Sequence, residues 1–148
     1  MSQLGEAMLP VPAATITPGL EPFWEALADG ELRLPYSRTT GEVLWYPRVA
    51  DAGGHLEVEW RAVSGHGVVY SATVVRRPTG PYRESGPYVL AYVTLEEGPR
   101  VLTHIVGVPP EEVHIGMRVR AVIESGADGA VILRFRRDDG DDAVRSGS

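Results

Sequence analysis

The sequence contains no cysteine and no lysine. Without cysteine there is no disulfide framework and no thiolate metal site. The missing lysine accompanies many Arg, Ala, Gly, Val and Asp residues, all encoded by G/C-rich codons. It is read as coding bias, not phosphate chemistry. No apolar run reaches the ~18 residues of a membrane span, and the N-terminus lacks the basic-then-apolar order of a secretory signal. The cytoplasm is the expected location, with no membrane partner. A formal net charge of −6 removes the broad basic surface expected of a general nucleic-acid binder.

What is present describes a small globular domain. Hydrophobic residues make up 43% and charged residues 23% of the 148, ordinary values for one packed core. The 17 glycines and 12 prolines favour short strands and many turns. Residues 1–18 have no clear period and read as an arm ordered by docking. Leu20, Phe23, Trp24 and Leu27 then fall at i, i+3, i+4 and i+7, the stripe of a short helix with Pro22 in its first turn and Gly30 at its end. The arm and helix together occupy residues 1–31.

From residue 32 the periodicity changes to that of strands. Leu32 to Leu34 and Val43 to Tyr46 form a small hairpin around YSRTTGE, within a unit spanning 32–55. LEVEWRAV alternates Leu56, Val58, Trp60 and Ala62 with charged residues, as a half-buried strand does. VVYSATVV and YVLAYVTL are β-branched and aromatic. The short EEGP connection predicts a hairpin into RVLTHIV, and SGADG predicts another between RVRAVIES and AVILRFRR. Pro110, Glu111 and Glu112 predict one helical turn between those hairpins. The fold class is therefore mainly β, a five-stranded OB-fold barrel over 56–137, followed by an acidic tail at 138–148.

PFWEALADGELRL, TTGEVLWYPR, LEVEWRAVSGHGVVYSATVVRRP, PYVLAYVTLEEGPRVLTHIVG and IGMRVRAV together resemble the family once called domain of unknown function thirty-five. The resemblance covers most of the chain between Pro22 and Val122. It implies N-terminal helices, a rubredoxin-like zinc ribbon and a C-terminal OB-fold. It also implies an accessory subunit bound to a thiolase-like, hydratase or aldolase-type acyl-CoA enzyme. Such a subunit helps assemble the complex and guides the acyl-CoA while its partner performs the chemistry, in a homo- or hetero-oligomer. The family's two CxxC pairs align with Ser37 and Thr40 and with Asp51 and Gly54, so this ribbon is degenerate and no zinc is expected. By the same resemblance the loop Pro78–Pro87 and the N-terminal helix face the partner or the acyl-CoA.

Several side-chain sets remain to be weighed. None of His55, His66, His104 and His114 has metal-ligand spacing with another, and no serine lies in a nucleophile motif. No catalytic residue is assigned. Arg76 and Arg77, Arg118 and Arg120, and Arg134, Arg136 and Arg137 are expected near one another as a patch for the phosphates of CoA or of a nucleic acid, the first four as the CoA contacts, against the plainer reading that they pair with the 20 acidic residues. Arg134 shares a strand face with Arg136. Phe23, Trp24, Trp45, Tyr46, Tyr82 and Arg83 are the expected partner contacts. No cofactor is expected to bind tightly, acyl-CoA being the one candidate ligand. The alternative function is a stand-alone binder of single-stranded nucleic acid, stacking bases on Tyr70, Tyr92 or Phe135.

Overall fold

The computed structural model describes residues 9–13, 19–44, 57–126 and 129–138. The second half of the expected ribbon, including Trp45, Tyr46, Asp51 and Gly54, and the tail beyond Asp138 lie outside the described residues.

Helix α1 (Glu21–Ala28) buries Phe23, Ala26 and Leu27. It ends where Gly30 N–H donates to Leu27 O (2.9 Å) and Glu31 N–H to Ala26 O (2.8 Å). Eight residues are too few for an isolated helix in water, so its apolar face must be held by tertiary contact, here with β1 (Arg33–Ser37) and β7 (Val131–Arg137).

The predicted hairpin survives in minimal form. Tyr36 bridges Val43, and Leu44 N–H donates to Pro35 O at 2.8 Å. The other edge of β1 takes β2 (Val58–Ala62), antiparallel, from Arg33↔Ala62 to Ser37↔Val58. This differs from the expectation that the barrel begins at residue 56. The β2 strand lies outside it, and Ala62, expected to face inward, is exposed. The reason is backbone satisfaction: β1 requires an edge partner for its own N–H and C=O groups, and β2 supplies one.

The barrel is built from β3 (His66–Val75), β4 (Tyr88–Leu95), β5 (Arg100–Val106), β6 (Arg118–Ser125) and β7. It closes in the order β3-β4-β5-β7-β6. Both predicted hairpins, β4–β5 and β6–β7, are antiparallel. The predicted single turn is a 3-10 turn at Pro110–Glu112. Ten-residue β3 pairs with β4 along its length and, through His66–Val68, with β6, the register shifting between Val69 and Ser71. Such an irregularity bends a strand enough to serve two neighbours. One parallel contact, Ile105↔Phe135 and Val106↔Arg136, joins β5 to β7.

Alternation then sorts each strand into two faces. Val69, Val89, Ala91, Val93, Leu95, Val101, Ile105, Val119 and Phe135 point into the barrel and are buried. Phe23, Leu27, Leu32 and Leu34 join the same apolar cluster, so the N-terminal unit and the barrel share one core.

Candidate functional site

On β7, Phe135 points inward, so Arg134 and Arg136 both face out of the barrel, as expected from their spacing. Their environments are opposite.

Arg134 is fully buried because two segments cross it. Its Nε donates to His104 Nδ1 (3.1 Å). Nη1 donates to Glu124 Oε1 (2.5 Å) and Leu9 O (3.4 Å). Nη2 donates to Pro10 O (2.6 Å) and Tyr82 Oη (3.1 Å). One guanidinium thus ties the arm, the loop after β3, β5 and β6 to β7. Tyr82, Tyr88 and His104 pack ring against ring beside it, with centroids 5.1–5.3 Å apart. The arm lies against Gly126, where an added Cβ would come within 2.8 Å of Val11 Cβ; glycine is required for that approach. Burial and the Arg134 charge lower the His104 pKa to about 4. The ring is therefore neutral at ordinary pH, with Nδ1 accepting and Nε2 carrying the proton.

At the far end of the same strand no described residue gives comparable cover. The registers His66↔Arg120 and Arg120↔Arg136 place these three on one outward row across β3, β6 and β7. Arg118 follows two residues along β6, opposite Val68. Arg118, Arg120 and Arg136 are exposed. Among the described residues neither Arg120 nor Arg136 has a carboxylate partner. Arg136 lies back over Gly107, whose missing Cβ would meet Nη2 at 3.2 Å, on the β5 side of its strand and not over Arg120. His66 Nδ1 is 2.9 Å from Oδ2 of the buried Asp138. An open cleft of about 450 Å³ adjoins the row, lined by His66, Val68, Thr94, Glu96, Arg118 and Asp138 among others.

Beyond this cationic end the outward face of β3, β4 and β5 becomes apolar. Val68, Tyr70, Tyr92 and Leu102 are exposed large hydrophobics, and so is Ile115, 72% accessible, in the turn before β6. Tyr92 pairs across to Leu102 and sits beside the Tyr70 irregularity, so the group is contiguous across three strands. The Arg100 guanidinium lies 3.8 Å from the Tyr70 ring centroid, a cation–π contact at one edge.

The expected site residues separate accordingly. Arg76 and Arg77 follow the end of β3, whereas Arg118 and Arg120 pair with its beginning, roughly 25 Å away at the rise of an extended strand. The four-arginine phosphate site is not assembled. Arg76 instead borders a separate cleft of about 380 Å³ with Val74, Val89, Pro110 and Val113. Among the expected partner contacts, Phe23 is in the core and Trp24 is half-buried against it, their rings edge to face at 5.2 Å. Tyr82 anchors its loop on Arg134, Arg83 is exposed, and Trp45 and Tyr46 lie outside the described residues. Phe135, an expected stacking platform, is wholly enclosed in the core because β7 turns it inward. Only Tyr70 and Tyr92 of that set are available. The signal for the apolar face was present in HGVVYSATVV and YVLAYVTL. A strand with one solvated face alternates apolar with polar residues, whereas these carry Val68, Tyr70, Leu90 and Tyr92 on the outward positions.

The described half of the degenerate ribbon offers zinc no thiolate. Ser37 and Thr40 offer hydroxyls, which do not replace thiolates. Ser37 Oγ instead accepts from the N–H groups of Thr39 (3.2 Å) and Thr40 (3.1 Å), and Gly41 N–H donates to Ser37 O at 2.8 Å. Hydrogen bonds close the turn. Beside it the Arg61 guanidinium lies 4.6 Å from the Tyr36 ring centroid. Burial raises the Tyr36 pKa, with Glu97 adding to the rise.

Comparison with known proteins follows the same division. The family described as ChsH2, C-terminal OB-fold domain, matches residues 60–124. The chain is 41% identical over 84 residues to a DUF35 domain-containing scaffold protein of Methanocaldococcus jannaschii, covering 54% of this chain and 60% of that one. It is 37% identical over 101 residues to the 3-oxo-4,17-pregnadiene-20-carboxyl-CoA hydratase alpha subunit of Mycobacterium tuberculosis, covering 67% of this chain and 32% of that one. The chain thus spans about three-fifths of the first relative's length and a third of the second's. Among solved structures, the Ltp2-ChsH2(DUF35) aldolase superposes with TM-score 0.75 at 27% identity, covering 84% of this chain and 98% of that one. A DUF35-family protein of unknown function from Sulfolobus solfataricus, 18% identical, shares the fold at TM-score 0.55 over 82% of this chain and 86% of that one. The family's C-terminal OB-fold domain is thus matched over residues 60–124, and the chain as a whole is similar to DUF35 proteins in sequence and in fold.

Proposed function

We propose that the chain is a non-catalytic accessory subunit of an acyl-CoA enzyme of the hydratase, aldolase or thiolase-like kind. It docks on that enzyme through the outward face of β3, β4 and β5 and helps to guide its acyl-CoA substrate. The observation that carries the docking surface is the contiguous exposure of Val68, Tyr70, Tyr92 and Leu102. Single exposed apolar residues are ordinary on a protein surface, but a continuous group marks an interaction site. The nature of the partner is supported by the relatives: one is named a scaffold protein, one a CoA-ester hydratase subunit, and one is part of an aldolase structure.

The test is co-expression with hydratase-, aldolase- and thiolase-type enzymes encoded beside the chain, followed by size-exclusion chromatography. A stable complex is expected. Leu102→Asp combined with Tyr70→Asp abolishes it while leaving the circular dichroism of the subunit unchanged. Failure of the unsubstituted chain to join any of these enzymes ends the reading.

A further inference from the structure

Any polypeptide that covers Tyr70 and Leu102 also covers a charge. Arg100 lies on β5 and Tyr70 on β3, with β4 between them, yet the Arg100 guanidinium is 3.8 Å from the Tyr70 ring centroid. The side chain therefore crosses the outward surface of β4 and lies on the apolar face. A contact that close puts the cation over the face of the ring, which holds the charge in place without satisfying its five N–H donors. Both residues are exposed. Among the described residues no carboxylate pairs with Arg100, although Glu96 and Glu97 stand just before it in the turn from β4. These two are engaged elsewhere: Glu97 Oε2 accepts from Ser64 N–H at 2.9 Å, and Glu96 lines the cleft beside His66.

Covering a cation without giving its donors an acceptor is strongly unfavourable. Given the docking face proposed above, on which this rests, we infer that the partner presents an aspartate or glutamate to Arg100, set among its own apolar side chains, and that this carboxylate helps to select the partner. A carboxylate accepts two parallel N–H bonds from a guanidinium, so the pair fixes orientation as well as charge. A partner with a basic or wholly apolar patch at this position is rejected, because it leaves the Arg100 charge buried and unmatched. A single-stranded nucleic acid fits less well. The Tyr70 ring face on which a base would stack is taken by Arg100, and Val68 and Leu102 offer no ring.

The absence of lysine from the chain allows a direct test. Arg100→Lys keeps the positive charge and makes this position the only lysine in the sequence. The variant is assembled with the neighbouring hydratase-, aldolase- or thiolase-type enzyme and treated with a zero-length carbodiimide, which joins an amine only to a carboxylate in contact with it. Mass spectrometry of the digested product is expected to show a link from this position to an aspartate or glutamate of the enzyme, and no link from the new amine in Arg76→Lys, at the other end of β3. Arg100→Glu should weaken the complex by about tenfold or more in calorimetric titration, the loss of at least one charged hydrogen bond, while circular dichroism shows the free subunit still folded. Undiminished affinity in Arg100→Glu overturns the inference and leaves the docking face standing. A link only to a carboxylate of a second copy of this chain also overturns it, as does binding of a labelled oligothymidine that Arg100→Glu abolishes. Absence of any complex with the unsubstituted chain ends the docking face and the inference together, so the two failures are distinguishable.

Discussion

Arg134 and Arg136 stand two residues apart on one strand and one face, yet one is fully buried with its donors spread over four segments and the other is exposed with no carboxylate partner among the described residues. Strand geometry fixed only the direction in which each points. What separates them is the cover: residues 9–13 and the loop carrying Tyr82 cross the barrel at Arg134 and leave the Arg136 end open. The same residue type therefore serves as internal fastening at one end and as accessible charge at the other, and substitutions at the two ends should have opposite effects on stability.

The largest effect is expected at the covered end. Arg134→Met leaves the Glu124 carboxylate and the Leu9 and Pro10 carbonyls without their donor, costing about 3–5 kcal/mol and lowering the melting temperature by about 10 °C or more in differential scanning calorimetry. Next comes the pH dependence of the same cluster. The His104 pKa is about 4 in the folded chain against about 6.5 when unfolded. Protonation therefore favours unfolding as pH falls from about 6.5 toward 4, and the contribution is fully present above that window. Full linkage over that interval corresponds to about 3 kcal/mol. Partial solvent screening of the half-buried ring reduces this to about 2 kcal/mol. Urea denaturation at a series of pH values should show the slope, and His104→Asn should flatten it.

A smaller loss tests the cover itself. Gly126→Ala drives a Cβ into Val11 and should cost about 1–2 kcal/mol as an overpacked contact. Limited proteolysis should then cleave the arm faster while the barrel stays intact. Unchanged cleavage would mean that the arm is held without this approach. The smallest effect has the opposite sign. Arg120→Glu sets a carboxylate in register with Arg136 and should raise stability by about 0.5 kcal/mol by drawing the guanidinium off Gly107; a measurable loss would show that Arg136 keeps its place on the β5 side.

The local features were legible. Leu20, Phe23, Trp24 and Leu27 announced α1, Pro110 announced its single turn, and EEGP and SGADG announced the two hairpins, because each signal lies within a few residues of its effect. The pairing of β2 with β1 was not legible, since the alternation in LEVEWRAV describes a half-buried strand without naming its neighbour. Phe135 was misjudged as a platform for a related reason: an aromatic residue flanked by arginines reads as surface until the strand's facing is known. The burial of Arg134 depends on carbonyls 124 and 125 residues away, and no pattern in RFRR carries that information. Arg118 and Arg120, and Arg134 and Arg136, were recognisable as same-face pairs, but the register that sets Arg120 beside Arg136 and leaves Arg76 at the other end of β3 is a tertiary fact.

The parallel contact of Ile105 and Val106 with Phe135 and Arg136 has a kinetic corollary. Both hairpins can zip from their turns, but the ring closes only when β7, the last barrel strand to emerge during synthesis, finds β5 across an intervening turn and hairpin. Such non-local pairing is slow to form. Until it does, Phe135 has no enclosure and the nascent chain displays its sticky interior, so a variant that weakens this seam should reveal itself first as poor yield of soluble protein during expression.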